Sequence, residues 1–152
     1  MGLKRAIGLL LALLVASLNL AACATMSDPP PPPTLYKRLG GREGISIVVA
    51  DFVTNLAGDS RVNARFKDMK GPEIEKLKSN LSDQICDATG GPCSYVGRDM
   101  KTTHKGMKIT EAEWNATVEN LVKAMDKNKV GAKEKSELLG ALGPMKADIV
   151  GQ

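Results

Sequence analysis

Apolar residues recur at intervals of three and four along most of the chain beyond residue 34, the spacing of one face of an α-helix. Ile45, Val48, Val49, Phe52, Val53 and Leu56 form the first stripe and predict a helix that opens after the Gly40-Gly41 break. Pro72 stands where a first helical turn accepts it, and Ile74, Leu77, Leu81 and Ile85 continue a second stripe that stops at Gly90-Gly91. Thr110 followed by Glu113 is a capping-box sequence, so a third helix begins there, with Trp114, Val118, Leu121, Val122 and Met125 on its apolar side. A last helix offers Leu138, Leu139, Leu142, Met145 and Ile149, weakened or bent by Gly140, Gly143 and Pro144. Outside these segments no run alternates as a strand would. The pattern predicts an all-α domain without internal repeats.

One stretch breaks the periodicity. Residues 90–109, GGPCSYVGRDMKTTHKGMKI, hold four glycines and a proline, enough to limit helix there to a turn or two. Some twenty residues with little structure of their own are unusual in a small domain and more often functional than not. His104, the only histidine in the chain, lies within them.

The N-terminus reads differently. Lys4 and Arg5 precede an uncharged apolar run from Ala6 to Val15, too short for a confident membrane span, and the small residues Leu20-Ala21-Ala22 precede Cys23. This is the layout of a secretory signal, and it resembles a bacterial lipobox, in which the cysteine is acylated and becomes the new N-terminus. The expected organisation is a lipoprotein signal peptide at 1–22, a lipidated Cys23 with a proline-rich tether to residue 33, and a folded domain at 34–152. Five consecutive prolines, Pro29 to Pro33, favour a stiff extended spacer that would hold the domain off a membrane. An exported lipoprotein facing the periplasm follows, the choice between inner and outer membrane staying open.

Composition then narrows the chemistry. The 152 residues, 43% hydrophobic and 25% charged, suit one compact domain plus processing segments. Only five are aromatic, Tyr36, Phe52, Phe66, Tyr95 and Trp114, so the core rests on aliphatic and Met side chains unless a flat apolar group is supplied from outside. One histidine excludes any site needing two imidazoles from this chain. The net charge of +4 falls to +2 once Lys4 and Arg5 are removed, and no basic stripe interleaved with aromatics points to nucleic acid. Cys86 and Cys93, seven apart across a helix end, suit either a small disulfide or two separate thiols in an oxidising compartment. No nucleophile elbow and no phosphate-binding loop is present. An imidazole on a short loop between two apolar helices is how a proximal haem ligand is presented.

These residues also carry a resemblance. LYKRLGGREGI from Leu35, the DFV of the first long helix, DSRVNARF after it, the Gly90-Gly91-Pro92 break with Tyr95-Val96-Gly97, and above all Met100-Lys101-Thr102-Thr103-His104-Lys105-Gly106 running into Ile109-Thr110 make residues 34–149 similar to a group I truncated haemoglobin. The resemblance implies a truncated globin-like two-over-two helical sandwich holding non-covalent haem b, with His104 as the iron ligand. It implies Phe52 beside the haem and places Val53 where the family usually has a tyrosine donor. Leu77 and Leu81 fall on distal positions often occupied by polar residues. Phe66, Ile109 and Leu142 fall among the other cofactor-contacting positions, Thr117, Val118, Leu121 and Leu138 match wall positions, and Met100 or Met107 is the candidate sixth ligand. Thr54 is the nearest polar candidate if the register slips by one, and Arg98 or Lys101 is placed to meet a haem propionate.

The resulting expectation is a haem protein binding oxygen, nitric oxide and carbon monoxide, anchored outside the cytoplasm through Cys23 and served by an unidentified reductase, with no catalytic residue assigned. The alternatives are a haem enzyme, acting as a nitric oxide dioxygenase or like a peroxidase, and a haem-free structural lipoprotein.

Overall fold

A computed structural model describes residues 29–152; the expected signal peptide at 1–22 and the expected lipidation site Cys23 lie outside the described residues. Pro29 to Pro33 are exposed and non-helical. Residues 32–152 make one compact unit, helical apart from turns, loops and a single isolated bridge.

The unit runs α1 (Leu35–Arg38), α2 (Gly41–Gly58), a 3-10 turn (Asn63–Arg65), α3 (Gly71–Ala88), α4 (Met100–His104), α5 (Glu111–Lys127), α6 (Ala132–Leu142) and a second 3-10 turn (Gly143–Asp148). The stripe read from sequence is the one that is buried: Ile45, Val48, Val49, Phe52, Val53 and Leu56 are all in the core, and α2 packs against both α3 and α5. Ile85 and Cys86 of α3, Ala116, Leu121, Ala124 and Met125 of α5, and Leu138 of α6 complete it. The void bounded by Leu39, Ile45, Val48, Ile85, Met125 and Leu138 measures about 10 Å³, so these side chains pack closely at that end of the core.

The ends of the helices follow local chemistry. Gly40 and Gly41 take positive φ, +86° and +65°, and turn the chain sharply from α1 into α2, a conformation a side chain would strain. At the end of α3 the Gly91 N–H reaches the Cys86 carbonyl at 2.8 Å and the Gly90 N–H the Asp87 carbonyl at 3.2 Å, a Schellman stop with Gly90 at φ +76°. The Thr110–Glu113 capping box forms as the sequence predicts.

Two features differ from the sequence reading. The four-residue α1 has no apolar period of its own; it exists because Thr34 caps it and the Tyr36 N–H is donated to the Thr89 carbonyl at 2.9 Å. The last helix does not bend but ends at Leu142, where Gly143-Pro144 open a 3-10 turn: the proline cannot donate to a continuing ladder. The chain then returns to the centre, and Ile109 and Val150 form a parallel bridge.

Candidate functional site

His104 is the last residue of α4, a five-residue helix that owes its start to Asp99. The Asp99 carboxylate accepts the Thr102 N–H at 2.8 Å, and that bond holds its pKa below the usual carboxylate range. One turn of helix brings the His104 ring back over residue 100, where Nδ1 lies 2.8 Å from the Met100 carbonyl oxygen. A carbonyl only accepts, so Nδ1 carries a proton, and in the tautomer this selects the lone pair lies on Nε2. Nε2 has no protein partner among the described residues. The ring is half-buried.

The segment after His104 is fastened at several points. Gly106 and Lys108 take left-handed backbone, φ +80° and +50°, and the Met107 N–H closes on the His104 carbonyl at 3.0 Å. Arg65, at the 3-10 turn after α2, donates Nη1 to the Met107 carbonyl at 2.8 Å and Nε to Glu113 at 2.8 Å. Arg65 and the Thr110 backbone together lower the Glu113 pKa to about 2. On the other side the Lys108 N–H is donated to the Gln152 carbonyl at 2.6 Å and the Gly151 N–H to the Ile109 carbonyl at 2.9 Å. A left-handed non-glycine residue persists only where its surroundings hold it, and here the returning chain does so.

The side chains singled out from sequence fall into two groups. Phe52 and Val53 are buried in the main core, with Phe66, Leu77, Leu81 and Leu142 half-buried against it. Met100, Met107 and Ile109 are half-buried outside that core, along the histidine segment. Gln84 of α3 joins the two: its amide nitrogen lies 3.3 Å from the Met100 sulfur and 3.4 Å from that of Met145. Thioethers are weak acceptors, so the contact locates the elements more than it holds them.

Of the secondary candidates, Thr54 is exposed and donates to the Ala50 carbonyl at 2.9 Å, its hydroxyl spent on its own helix. Leu121 and Leu138 are ordinary core, whereas Val118 is half-buried and Thr117 donates to the Glu113 carbonyl. Arg98 and Lys101 are exposed. Cys86 and Cys93 are joined in a disulfide, Cα atoms 5.8 Å apart, so the end of α3 is covalently tied to the loop leading to α4. Gly91 makes this possible: a Cβ there would stand 2.5 Å from the Cys86 sulfur.

Sequence reasoning missed Arg65, Gln84 and the strap at 149–152. Each acts across more than forty residues or between side chains with no shared period. Only Glu113 left a trace, through its capping box.

The donor set suits a flat apolar group with one metal centre: a single imidazole nitrogen without a protein partner, and half-buried thioether and aliphatic side chains at Met100, Met107 and Ile109 in the same segment. Covalent attachment through Cys-x-x-Cys-His is absent from the sequence.

Residues 34–150 match the bacterial-like globin family. A group 1 truncated haemoglobin of Mycolicibacterium paratuberculosis is 30% identical over 118 residues, which are 78% of this chain and 85% of that protein. One from Nostoc commune is 28% identical over 77% of this chain and 97% of the relative. Among solved structures, the truncated haemoglobin of Tetrahymena pyriformis in its Fe(III) form superposes with a TM-score of 0.74 at 26% identity, covering 79% of this chain and all of that one. The 2/2 haemoglobin of Synechococcus, whose haem is covalently attached, superposes at 0.71 with 26% identity, covering 78% and 98%.

Proposed function

This chain belongs to the group 1 truncated haemoglobins of the bacterial-like globin family and is a haem-binding globin; from that premise we propose that it holds non-covalent haem b through His104 and reversibly binds a diatomic gas, with low oxygen affinity. The observation carrying this reading is the His104 ring, with Nδ1 held on the Met100 carbonyl and Nε2 left free.

Bound there, haem would supply an iron able to take a gas molecule. The protein does the rest. The Met100 carbonyl fixes the tautomer and rotation of the imidazole and raises the basicity of Nε2, the role a second partner plays for a ligating histidine. Met100, Met107 and Ile109 flank it with apolar surface. Val53, Leu77 and Leu81, at the positions where the family often carries a donor, are apolar and would offer no proton to a bound gas. One donor in an apolar pocket contributes about 1–3 kcal/mol, roughly one to two powers of ten in residence time. Oxygen depends on such a donor more than carbon monoxide or nitric oxide does, so without it oxygen leaves quickly while the other two still bind.

The same lack weighs against a nitric oxide dioxygenase, which needs oxygen to persist, and against peroxidase-like chemistry, which gains from a proton-transfer group. A Soret band in protein purified from haem-sufficient cells, abolished in His104→Ala, tests the ligand. Flash photolysis tests the pocket: oxygen held as tightly as in a tyrosine-bearing relative would overturn the low-affinity reading.

For the N-terminus the proposal is export, cleavage before Cys23 and acylation of that cysteine, which would place the globin at a membrane facing the periplasm, reduced there by a separate reductase. The support is the sequence from Lys4 to Cys23 and the proline run after it. Intact mass of detergent-extracted protein, with and without Cys23→Ser, reads the acyl groups directly.

A further inference from the structure

The charge of this domain is unevenly placed. Residues 29–152 carry nineteen basic and sixteen acidic side chains, a net +3. Residues 98–108 alone hold Arg98, Lys101, Lys105 and Lys108 against Asp99, also +3, so the remainder is neutral as a whole. Among the arginines the difference persists in three dimensions. Every other described arginine, Arg38, Arg42, Arg61 and Arg65, is paired with a carboxylate. Arg98, Lys101, Lys105 and Lys108 are all exposed and form no ion pair among the described residues. Asp99, whose carboxylate caps α4, offsets one of these four charges and forms an ion pair with none of them.

A run of lysines is usually just a solvated face, and three observations set this one apart. Its backbone is not loose: Asp99 caps one side, and Arg65 and the Gln152 carbonyl hold the other, so the charges are displayed on fixed positions. Val96, two residues from Arg98, is 89% exposed, giving the patch an apolar point beside its cations, as a protein interface has. And the four cations bracket His104, the one side chain whose free nitrogen suits a metal.

We propose that the 96–108 segment is the docking surface for an acidic electron-transfer protein, one presenting a negative face around its own redox centre. The inference rests on the haem reading above. A partner seated here lies over the shortest covalent route from the surface to the iron ligand, the single turn from Met100 to His104. Complementary charge raises the encounter rate more than it raises affinity, and salt screens it. An anionic membrane would attract the same cations, but a single valine offers little to insert, and the patch is confined to one short loop.

The test uses the whole chain, loaded with haem, and an acidic flavodoxin as probe. Titration calorimetry measures association, and stopped-flow mixing with flavodoxin hydroquinone measures haem reduction, each at low and at physiological ionic strength. The expected result is a reduction rate that falls about tenfold as salt rises. It falls comparably at low salt in the triple variant Lys101→Glu, Lys105→Glu, Lys108→Glu, and in part in the Gln equivalents. A control reversing three exposed, unpaired lysines elsewhere, Lys123→Glu, Lys129→Glu, Lys133→Glu, keeps the wild-type rate. Equal losses in both triples, or a rate indifferent to salt, overturn the proposal. So does binding to phosphatidylglycerol vesicles without any association with flavodoxin. The Soret band recorded before mixing separates the two levels: haem held but no flavodoxin engaged defeats the docking surface alone, whereas no haem defeats the underlying reading and this proposal with it.

Discussion

The His104 Nδ1 and the Met100 carbonyl oxygen are 2.8 Å apart across one turn of a five-residue helix. That bond settles which nitrogen of the only imidazole is available, and it does so with backbone that no substitution at residue 100 removes. A helix this short has little stability of its own. Its geometry is inherited from Asp99 on one side and from the pinned loop at 105–109 on the other.

His104→Gly should abolish the Soret band and recover much of it when free imidazole is added, because the Met100 carbonyl and the apolar flanks remain in place. Titrating imidazole into the variant with haem and following absorbance checks this; no recovery would mean that the cavity does not survive the loss of the side chain.

Leu77→Gln and Leu81→Gln place an amide donor on half-buried positions of α3, where the longer polar side chain can be accommodated. Either should slow oxygen release by about ten- to a hundredfold, from the 1–3 kcal/mol a good hydrogen bond contributes, while changing carbon monoxide release far less. Stopped-flow displacement of both gases measures the contrast. Parallel slowing of the two would point to a steric cause instead.

The Cys86–Cys93 disulfide closes a loop of only a few residues, for which chain entropy gives roughly 2 kcal/mol. Cys93→Ser should lower the thermal midpoint by about 10 °C in a domain of this size. Gly91→Ala should slow oxidation of the pair, since its Cβ would meet the Cys86 sulfur and Tyr36. Thiol trapping during refolding reads the rate.

Glu113, with its pKa held near 2 by Arg65 and the Thr110 backbone, binds fewer protons folded than unfolded below the ordinary glutamate range. Its contribution is complete above an unfolded pKa near 4.5 and disappears as pH drops through 2. Stability of the wild type should therefore decline between those values more steeply than that of Glu113→Gln, as urea midpoints measured across that range would show.

Removing residues 149–152 takes away the carbonyl that holds Lys108 left-handed and the bridge to Ile109. Faster amide exchange at 108 and 109 and faster haem transfer to an excess of apomyoglobin are expected, with the helix content of α2, α3 and α5 intact. Unchanged transfer would show that Arg65 alone suffices to fix the loop.

What the sequence determined is what depends on neighbours three or four residues away: the stripes of α2, α3 and α5, the capping box at Thr110, the glycine stops, and the singling out of His104 in a loop too rich in glycine for a long helix. Those follow from helical periodicity and backbone freedom, which are local. Tertiary structure decided the rest. It folded Leu35–Arg38 into a helix through Thr89, ended the last helix at Leu142, and sent the chain back to bridge Ile109. It brought Arg65 to the Met107 carbonyl and joined Cys86 to Cys93 rather than leaving two thiols apart. These contacts join residues with no common period, and their strength comes from excluding water around paired polar groups, which exists only once the helices have packed.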